Sequence, residues 1–315
     1  MSEIASSHTP LLAMTTMFGC GRSRATMKVS CLPVSFFQEM IQGRMTIGQW
    51  ARLGHALGLD GIDLSIALVP DRSPAALDEL RREIEDAGTR VVMVTSYPDF
   101  THPAPAQRLR ELALEQEVVA TAARLGAELV RVTAGQAHPG VRRGQGIEWA
   151  VNGITRLARA VCNSGISLVY ENHARPMVWD FTDFSQPPDI FVEIAQQVAG
   201  AGVGVNFDTG NAAAFSDDPA GLLKQVLPLV VSVHAADTAV HGRLEPVLLG
   251  AGITPFAALF ETLCRHGWDG WICMEEASGQ GPAGVAAAAQ FIRQTWSDVS
   301  KRCWASNAEG RRDLK

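Results

Sequence analysis

The chain repeats one short pattern, in which an amphipathic stretch ends at a glycine and a run rich in β-branched residues follows. The pattern occurs six times, at residues 57–65, 87–96, 125–135, 164–173, 201–210 and 266–276. Glycine just past a helix end adopts the left-handed conformation without the steric cost of a Cβ atom. We therefore expect each copy to mark the end of a helix and the start of a strand.

Two further strands are expected without the glycine lead-in, at 28–32 (KVSCL) and 229–237 (LVVSVHAAD), which brings the total to eight. Thr46 and Gln49 form a capping box at the start of a first helix over 46–57, and Ser73-Pro74 is a typical start for a second. The other predicted helices are 106–125, 146–163, 188–199, 218–227, 254–265 and 282–297.

Strict alternation of strands and helices predicts a parallel sheet. Eight units in roughly 270 residues favour a closed α/β barrel, the (β/α)8 TIM barrel, over an open sheet. A doubly wound sheet is the alternative, but no G-x-G-x-x-G motif follows the first strand. We place the barrel at 28–300, between a flexible tail at 1–27 and a C-terminal tail at 301–315, with Met27 as an alternative start.

Composition excludes several classes of protein. The formal net charge of −6 argues against a nucleic-acid binder held by phosphate contacts, and no apolar run is long enough to span a membrane. The six cysteines are scattered without a C-x-x-C pair, which is typical of reduced thiols in a cytoplasmic protein.

Polar residues stand at the ends of the last four predicted strands, where a parallel barrel places its active site. These residues are Glu171, Asp208, His234 and the pair Glu275-Glu276. Carboxylates gathered at one rim repel each other unless a cation lies among them, and three oxygens with one imidazole suit Mn²⁺, Mg²⁺ or a similar divalent ion.

Strand alternation separates the two adjacent glutamates. Counting back by two from Glu275 reaches Cys273, which is small enough for a crowded barrel interior. Counting back from Glu276 reaches Met274 and Ile272, the bulkier set expected to face the helices. We therefore expect Glu275 to point into the barrel and Glu276 to have a structural role.

The chain resembles the sugar phosphate isomerase/epimerase group of xylose isomerase-like TIM barrels over about residues 28–300. The matching stretches are GLDGIDL, LVYENH, VNFDTGN, VSVHAADT, LLGAGITPF and GWDGWICMEE. In that family the corresponding four residues bind one divalent metal, so the resemblance implies that Glu171, Asp208, His234 and Glu275 are metal ligands. Two positions depart from the family pattern: Ala236 stands where a lysine is frequent, and Asp63 where a glutamate is frequent.

The resemblance also implies an isomerase or epimerase of carbohydrate metabolism, in which Glu171 and Glu275 exchange a proton at the carbon next to a carbonyl. The expected cofactor is one Mn²⁺ ion, with Mg²⁺, Co²⁺ and Zn²⁺ as alternatives, and it would stabilise an enediolate. His173, Asn211 and Arg243 follow strands five, six and seven and are the predicted substrate-binding residues. We expect a small carbohydrate-like substrate and no nucleic-acid or membrane partner, and a homodimer is one assembly the sequence allows.

Several alternatives remain open at this point. A metal-dependent dehydratase of an inosose or dehydroshikimate type would use the same ligands and the same first proton abstraction. A DNA-repair endonuclease of the same superfamily is disfavoured, because Asn211 stands where such an enzyme carries a histidine. A non-catalytic sugar-binding barrel has no need of two metal-bound glutamates.

The loop 174–187, which carries Trp179, Phe181 and Phe184, could form a lid over the site.

Overall fold

The computed structural model describes residues 27–176 and 179–310 and contains eight parallel strands in one sheet. The strands pair in the order β1-β8-β7-β6-β5-β4-β3-β2 and form a nearly closed barrel, so the predicted (β/α)8 fold is confirmed. The strand bounds are β1 Lys28–Leu32, β2 Ile62–Ser65, β3 Val91–Thr95, β4 Leu129–Val132, β5 Ser167–Glu171, β6 Gly204–Asp208, β7 Val230–Ala235 and β8 Trp271–Glu275.

Ten α-helices occur within the described residues. Their bounds are α1 Phe37–Ile41, α2 Ile47–Ala56, α3 Pro74–Asp86, α4 Pro105–Arg124, α5 Arg143–Ala160, α6 Pro188–Ala199, α7 Thr209–Phe215, α8 Pro219–Val226, α9 Phe256–His266 and α10 Gly281–Gly310. The six glycines of the repeated pattern all have φ between 74° and 81°, so each takes the left-handed conformation predicted for it. They are Gly58, Gly88, Gly126, Gly165, Gly202 and Gly267.

The helices differ from the sequence expectation in two respects. The short helices α1 and α7 were not predicted, because segments of five and seven residues carry too little periodicity to be recognised. Helix α10 continues past the predicted end at 297 as far as Gly310, since no glycine or proline interrupts 297–309. It therefore runs into the segment 301–315 that we treated as a tail. Of the predicted N-terminal tail 1–27, residues 1–26 lie outside those described.

The barrel interior is filled by side chains at the end opposite the active-site rim. Leu129, Val169 and Cys273 pack together there with Val92, Met93 and Trp271. The indole N–H of Trp271 donates to Glu128 Oε2 at 2.9 Å, and Lys28 Nζ lies 4.4 Å from the ring centroid. Because this end is filled and capped, a polar site is confined to the C-terminal ends of the strands.

The seam between β1 and β2 is bridged largely by carboxylate side chains. The amide of Val29 donates to Asp60 Oδ2 and the amide of Asp60 donates to Val29 O, each at 2.8 Å. Ser30 Oγ donates to Asp63 Oδ2 at 2.7 Å, and Asp63 Oδ1 accepts from the Met93 amide at 3.1 Å. Asp63, one of the two departures from the family pattern, is thus a buried seam residue, and burial raises its pKa to about 6.

Candidate active site

Glu171, Asp208, His234 and Glu275 meet at the C-terminal rim of the barrel, and each offers one ligand atom within 4.8 Å of the others. They come from the ends of β5, β6, β7 and β8, four strands that are neighbours in the sheet. Asp208 and His234 are direct cross-strand partners, and His234 is in turn the partner of Cys273, two residues before Glu275. The parallel register therefore brings the four side chains to one level.

Glu171 is buried and held on both carboxylate oxygens. Its Oε1 lies 2.8 Å from Nδ1 of His234, and its Oε2 lies 2.6 Å from Nε of Arg131. Burial acts to raise the pKa of Glu171, but the positive charges of Arg131 and His234 outweigh burial and hold the pKa at about 2. Glu171 is therefore ionised at neutral pH.

Arg131 lies on β4 with its side chain 0% exposed. Its Nη1 donates to the carbonyl oxygen of Ser96 at 2.9 Å, and its guanidinium carbon is 4.4 Å from the ring centroid of Tyr97. The guanidinium thus contacts Glu171 on one side and the residues that follow β3 on the other.

Glu275 approaches the same imidazole from β8, which neighbours β7, with Oε1 3.1 Å from Nδ1 of His234. Its side chain is 23% exposed, whereas that of Glu171 is fully buried. The two glutamates share one contact atom but differ in access to solvent, so Glu275 is the carboxylate nearer the mouth of the site.

Asp208 ends β6 and caps the following helix. Its Oδ1 accepts from the backbone amide of Asn211 at 2.5 Å. The side-chain amide of Asn172 donates to Asp208 O and accepts from the Asp208 backbone amide, each at 2.8 Å. Burial, followed by the charges of Glu171 and Glu275, raises the pKa of Asp208 well above its usual range. The unfavourable environment of this carboxylate is what a bound cation would relieve.

The donor set fits a divalent metal ion. Asp208 Oδ2 is buried without a hydrogen-bond partner among the described residues, and the carboxylates of Glu171 and Glu275 converge on His234 Nδ1. Burial acts to lower the pKa of His234, but Glu171 and Glu275 raise it well above its usual value, so these carboxylates favour a positive charge at this point. Three carboxylates and one imidazole are a ligand set that suits Mn²⁺ and related ions.

The predicted substrate-binding residues divide into two groups. His173 lies beside the site, with ring centroids 5.5 Å from Tyr97 and 6.4 Å from Trp179, and burial lowers its pKa to about 4. Asn211 is buried on α7, and its Oδ1 has no hydrogen-bond partner among the described residues. Arg243 instead lies on the loop after β7, 71% exposed and ion-paired with Glu245 at 2.6 Å. The structure therefore brings His173 and Asn211 near the four-residue cluster but leaves Arg243 in solvent.

Glu276 points away from the cluster. Its Oε2 accepts from Ser35 Oγ at 2.5 Å, its Oε1 accepts from the amide of Ser278 at 2.9 Å, and its carbonyl accepts from the amide of Ser35 at 3.0 Å. These contacts join the end of β8 to the turn after β1. The geometry agrees with the inward and outward assignment made from strand alternation.

Asp237, three residues after His234, is also structural. Its Oδ2 accepts from the amides of Gly250 and Gly252, and its Oδ1 accepts from those of Thr238 and Thr254, all at 2.9–3.0 Å. Four backbone donors fully occupy this carboxylate, so it organises the loop that leads to α9 rather than the metal cluster.

The segment 179–187 is fastened to the loop that follows β4. Gln136 Oε1 accepts from the amides of Asp180 and Phe181 at 3.0 and 3.2 Å, and the Phe184 amide donates to Gly135 O at 2.7 Å. Of the three aromatic residues predicted to form a lid, only Trp179 contacts the rings of the site, since Phe181 packs on His138 and Phe184 on α5. The segment 179–187 is thus hydrogen-bonded to the loop after β4 and forms a wall beside the site.

Arg131 and Tyr97 are the site residues that sequence reasoning left unassigned. Alternation along β4 alone left the direction of Arg131 open, because its neighbours on both faces are apolar. In the structure Val130 and Val132 belong to the outer core, whereas Leu129 lies in the barrel interior. Arg131 shares the parity of Leu129 and therefore points inward. Tyr97 lies in a loop, where no such periodicity exists.

A family model described as "Xylose isomerase-like TIM barrel" matches residues 51–295. The curated relative "Rhizopine catabolism protein MocC" from Rhizobium meliloti is 28% identical over 163 residues. The aligned region is 44% of this chain and 48% of that protein, so it spans about half the length of the relative.

Three solved structures share the fold of nearly the whole chain. A D-tagatose 3-epimerase-like protein has a TM-score of 0.72 and 16% identity, covering 88% of this chain and 99% of the other. The IOLI protein with a binding zinc atom has a TM-score of 0.70 and 16% identity, covering 88% and 99%. The probable 3-DHS dehydratase AsbF involved in the petrobactin synthesis, from Bacillus anthracis, has a TM-score of 0.68 and 15% identity, covering 84% and 98%.

Proposed function

The chain belongs to the xylose isomerase-like TIM barrel family, and from this premise we propose that it is a divalent-metal-dependent isomerase or epimerase of a sugar or a sugar-like polyol or keto acid. The observation that carries the proposal is the shared contact of Glu171 and Glu275 with Nδ1 of His234, at 2.8 and 3.1 Å. Two carboxylates that converge on one point, beside a third at Asp208, provide both a metal site and a base–acid pair. The sugar epimerase named among its structural relatives supports the same assignment.

The proposed reaction moves one proton at the carbon next to the substrate carbonyl. Glu171, kept ionised by Arg131, removes or returns that proton on one side, and Glu275 does so from the side nearer the mouth. A divalent ion held by Glu171, Asp208, His234 and Glu275 would polarise the carbonyl and stabilise the enediolate charge. His173 and Asn211 are placed to bind substrate hydroxyl groups, and the stereochemistry of the substrate decides which glutamate acts first.

A metal-dependent dehydratase is the second candidate, favoured by the structural likeness to AsbF. Both reactions begin with the same proton abstraction. The charges of the site favour a neutral sugar over a carboxylate-bearing substrate, because the buried guanidinium of Arg131 is already paired with Glu171. The full proposal takes Mn²⁺ as the resident ion, a small carbohydrate-like substrate and a cytoplasmic location.

Deuterium exchange tests the reaction class. The purified protein with Mn²⁺ in D₂O is offered a panel of ketoses, inososes and hydroxypyruvate, and label is followed at the carbon next to the carbonyl. An isomerase or epimerase returns labelled sugar, whereas a dehydratase releases water and an unsaturated or diketo product. Absence of exchange with all members, with or without chelator, would contradict the proposal.

Asp208→Asn is expected to weaken Mn²⁺ binding by at least about 100-fold, more than the loss typical of an outer-shell partner. The amide keeps an oxygen to accept from the Asn211 amide but removes the charge that faces the cluster. Titration calorimetry with Mn²⁺ measures the effect, and Asp217→Asn, at a fully exposed carboxylate, is the matched control. Equal affinities in the two variants would remove Asp208 from the ligand set.

A further inference from the structure

Ser96, the first residue after β3, is joined to Arg131 by three contacts. The Ser96 amide donates to Arg131 O at 3.0 Å, and Arg131 Nη1 donates to Ser96 O at 2.9 Å. Ser96 Oγ also lies 3.1 Å from Arg131 O. Because Arg131 holds Glu171 Oε2 at 2.6 Å, the position of Ser96 determines that of the guanidinium and of the carboxylate beyond it.

Glu115 anchors Ser96 from outside the barrel wall. It lies on α4, yet it is only 5% exposed, and its Oε2 is 2.7 Å from Ser96 Oγ. One turn earlier, Glu111 Oε2 accepts from the Asp99 amide at 3.3 Å. Helix α4 thus fastens the loop 96–99 with two carboxyl groups, and this loop also carries Tyr97, whose ring lies against Arg131.

The single hydroxyl hydrogen of Ser96 indicates the protonation state of Glu115. A serine hydroxyl has one hydrogen, whereas Ser96 Oγ has two oxygen neighbours within hydrogen-bond distance, Glu115 Oε2 and Arg131 O. Both contacts are hydrogen bonds only if Glu115 donates to Ser96 and Ser96 donates to Arg131 O. Burial, which raises the pKa of Glu115 to about 7, is consistent with a protonated carboxyl group.

We propose that Glu115 is a positioning residue, which donates a hydrogen bond to Ser96 and through Ser96 and Arg131 holds Glu171 in its working orientation. The inference rests on the proposed function, because it assigns Glu115 to the support of a metal-binding and proton-transferring glutamate. Groups that hydrogen-bond a ligand directly change metal affinity or activity by roughly 10–100-fold when they are removed. Because Glu115 acts through Ser96 and Arg131, we expect an effect at the lower end of that range.

A purely structural role of Glu115 predicts that turnover and metal affinity stay unchanged in Glu115→Leu. Replacing a buried carboxyl group by leucine removes a desolvation cost, so stability is kept or raised. A positioning residue lowers turnover and metal affinity in the same variant. Stability and function therefore move in different directions, which separates the two roles.

The test compares Glu115→Leu, Glu115→Gln and the control Glu117→Leu, which lies on the exposed face of the same helix. Each variant is characterised by its urea midpoint, its Mn²⁺ dissociation constant, and kcat and KM on the substrate identified by deuterium exchange. Glu115→Leu is expected to lower kcat and Mn²⁺ affinity by about tenfold each, with KM within about twofold and an unchanged or higher midpoint. Glu115→Gln is expected to stay within about twofold of wild type, because its amide still donates to Ser96.

Two results would overturn the inference: Glu115→Leu matching Glu117→Leu in both kcat and Mn²⁺ affinity, or Glu115→Gln losing as much as Glu115→Leu. A wild-type chain that binds Mn²⁺ without turnover would reject the proposed reaction alone, and the affinity comparison would still decide the role of Glu115. A wild-type chain that binds no Mn²⁺ would overturn both proposals.

Discussion

Glu275→Gln is expected to lower kcat by about 10²–10⁴-fold, the range that general acid–base groups contribute, whereas Glu276→Gln leaves kcat within about twofold. The substitution removes the charge and basicity of the carboxylate that contacts His234 Nδ1 at 3.1 Å, with almost no change in shape. Glu276 has the same chemistry one residue later, but its oxygens are occupied by Ser35 and Ser278. Steady-state kinetics and deuterium exchange on the same substrate measure both variants.

The adjacent pair makes the comparison well controlled, because both residues are glutamates at the end of one strand and both receive the same isosteric change. Urea unfolding of the two proteins checks that each is folded. If Glu276→Gln also abolished turnover while the variant remained folded, it would be wrong to assign only Glu275, and not Glu276, to the active site. If Glu275→Gln retained full activity, the proposed base–acid pair would have to be abandoned.

Arg131→Met is expected to lower the free energy of unfolding by about 3–5 kcal/mol, the usual cost of removing one partner of a buried ion pair. Methionine fills much of the space of the arginine stem but leaves the Glu171 carboxylate buried beside an apolar group, without its 2.6 Å partner. Urea unfolding in the presence of a chelator measures the loss without the stabilisation that a bound metal adds by mass action. Turnover is expected to fall as well, because Glu171 loses the group that keeps its pKa low.

Arg143→Met is the matched control, since Arg143 also forms ion pairs, with Asp189 and Glu193, but is 50% exposed. Surface pairs of this kind contribute little to stability, so the control is expected to unfold close to the wild-type midpoint. In the double variant Arg131→Met/Glu171→Gln, part of the lost stability is expected to return, because no buried charge is left unpaired. A loss in Arg131→Met no larger than in Arg143→Met would contradict the buried-pair argument.

The sequence predicted the features that depend on local periodicity. The glycine-terminated repeat located six of the eight strands and the helix ends before them, and the other two strands were predicted from their apolar runs alone. The residues at the last four strand ends meet in space. Alternation along β8 separated Glu275 from Glu276 because the period of a strand is two residues. Along β4, which reads LVRV, both faces carry apolar residues, so the same rule did not fix the direction of Arg131.

The remainder of the site depends on loops and on contacts between distant residues, for which the sequence has no period. Arg243 follows a strand that carries a metal-ligand candidate, as His173 does, yet the loop after β7 carries it into solvent. The contact between Glu115 and Ser96 spans 19 residues and depends on how α4 packs. Helical spacing places Glu115 on the face of Leu112 and Val118, unlike the exposed Glu117, but it does not identify Ser96 as the partner. Tertiary packing decides these positions.

The seam between β1 and β2 has a consequence for how the barrel fluctuates. The strands β5 to β8, which carry the four ligand candidates, are joined to one another by backbone ladders, with one register shift between Val205 and Asn206. The strands β1 and β2 are instead joined largely through Asp60 and Asp63. Local opening occurs first where backbone pairing is sparse. Amide hydrogen exchange should therefore be faster at Val29 and Asp60 than along β6 and β7. The barrel can then open locally between β1 and β2 while the metal-ligand candidates on β5 to β8 stay together.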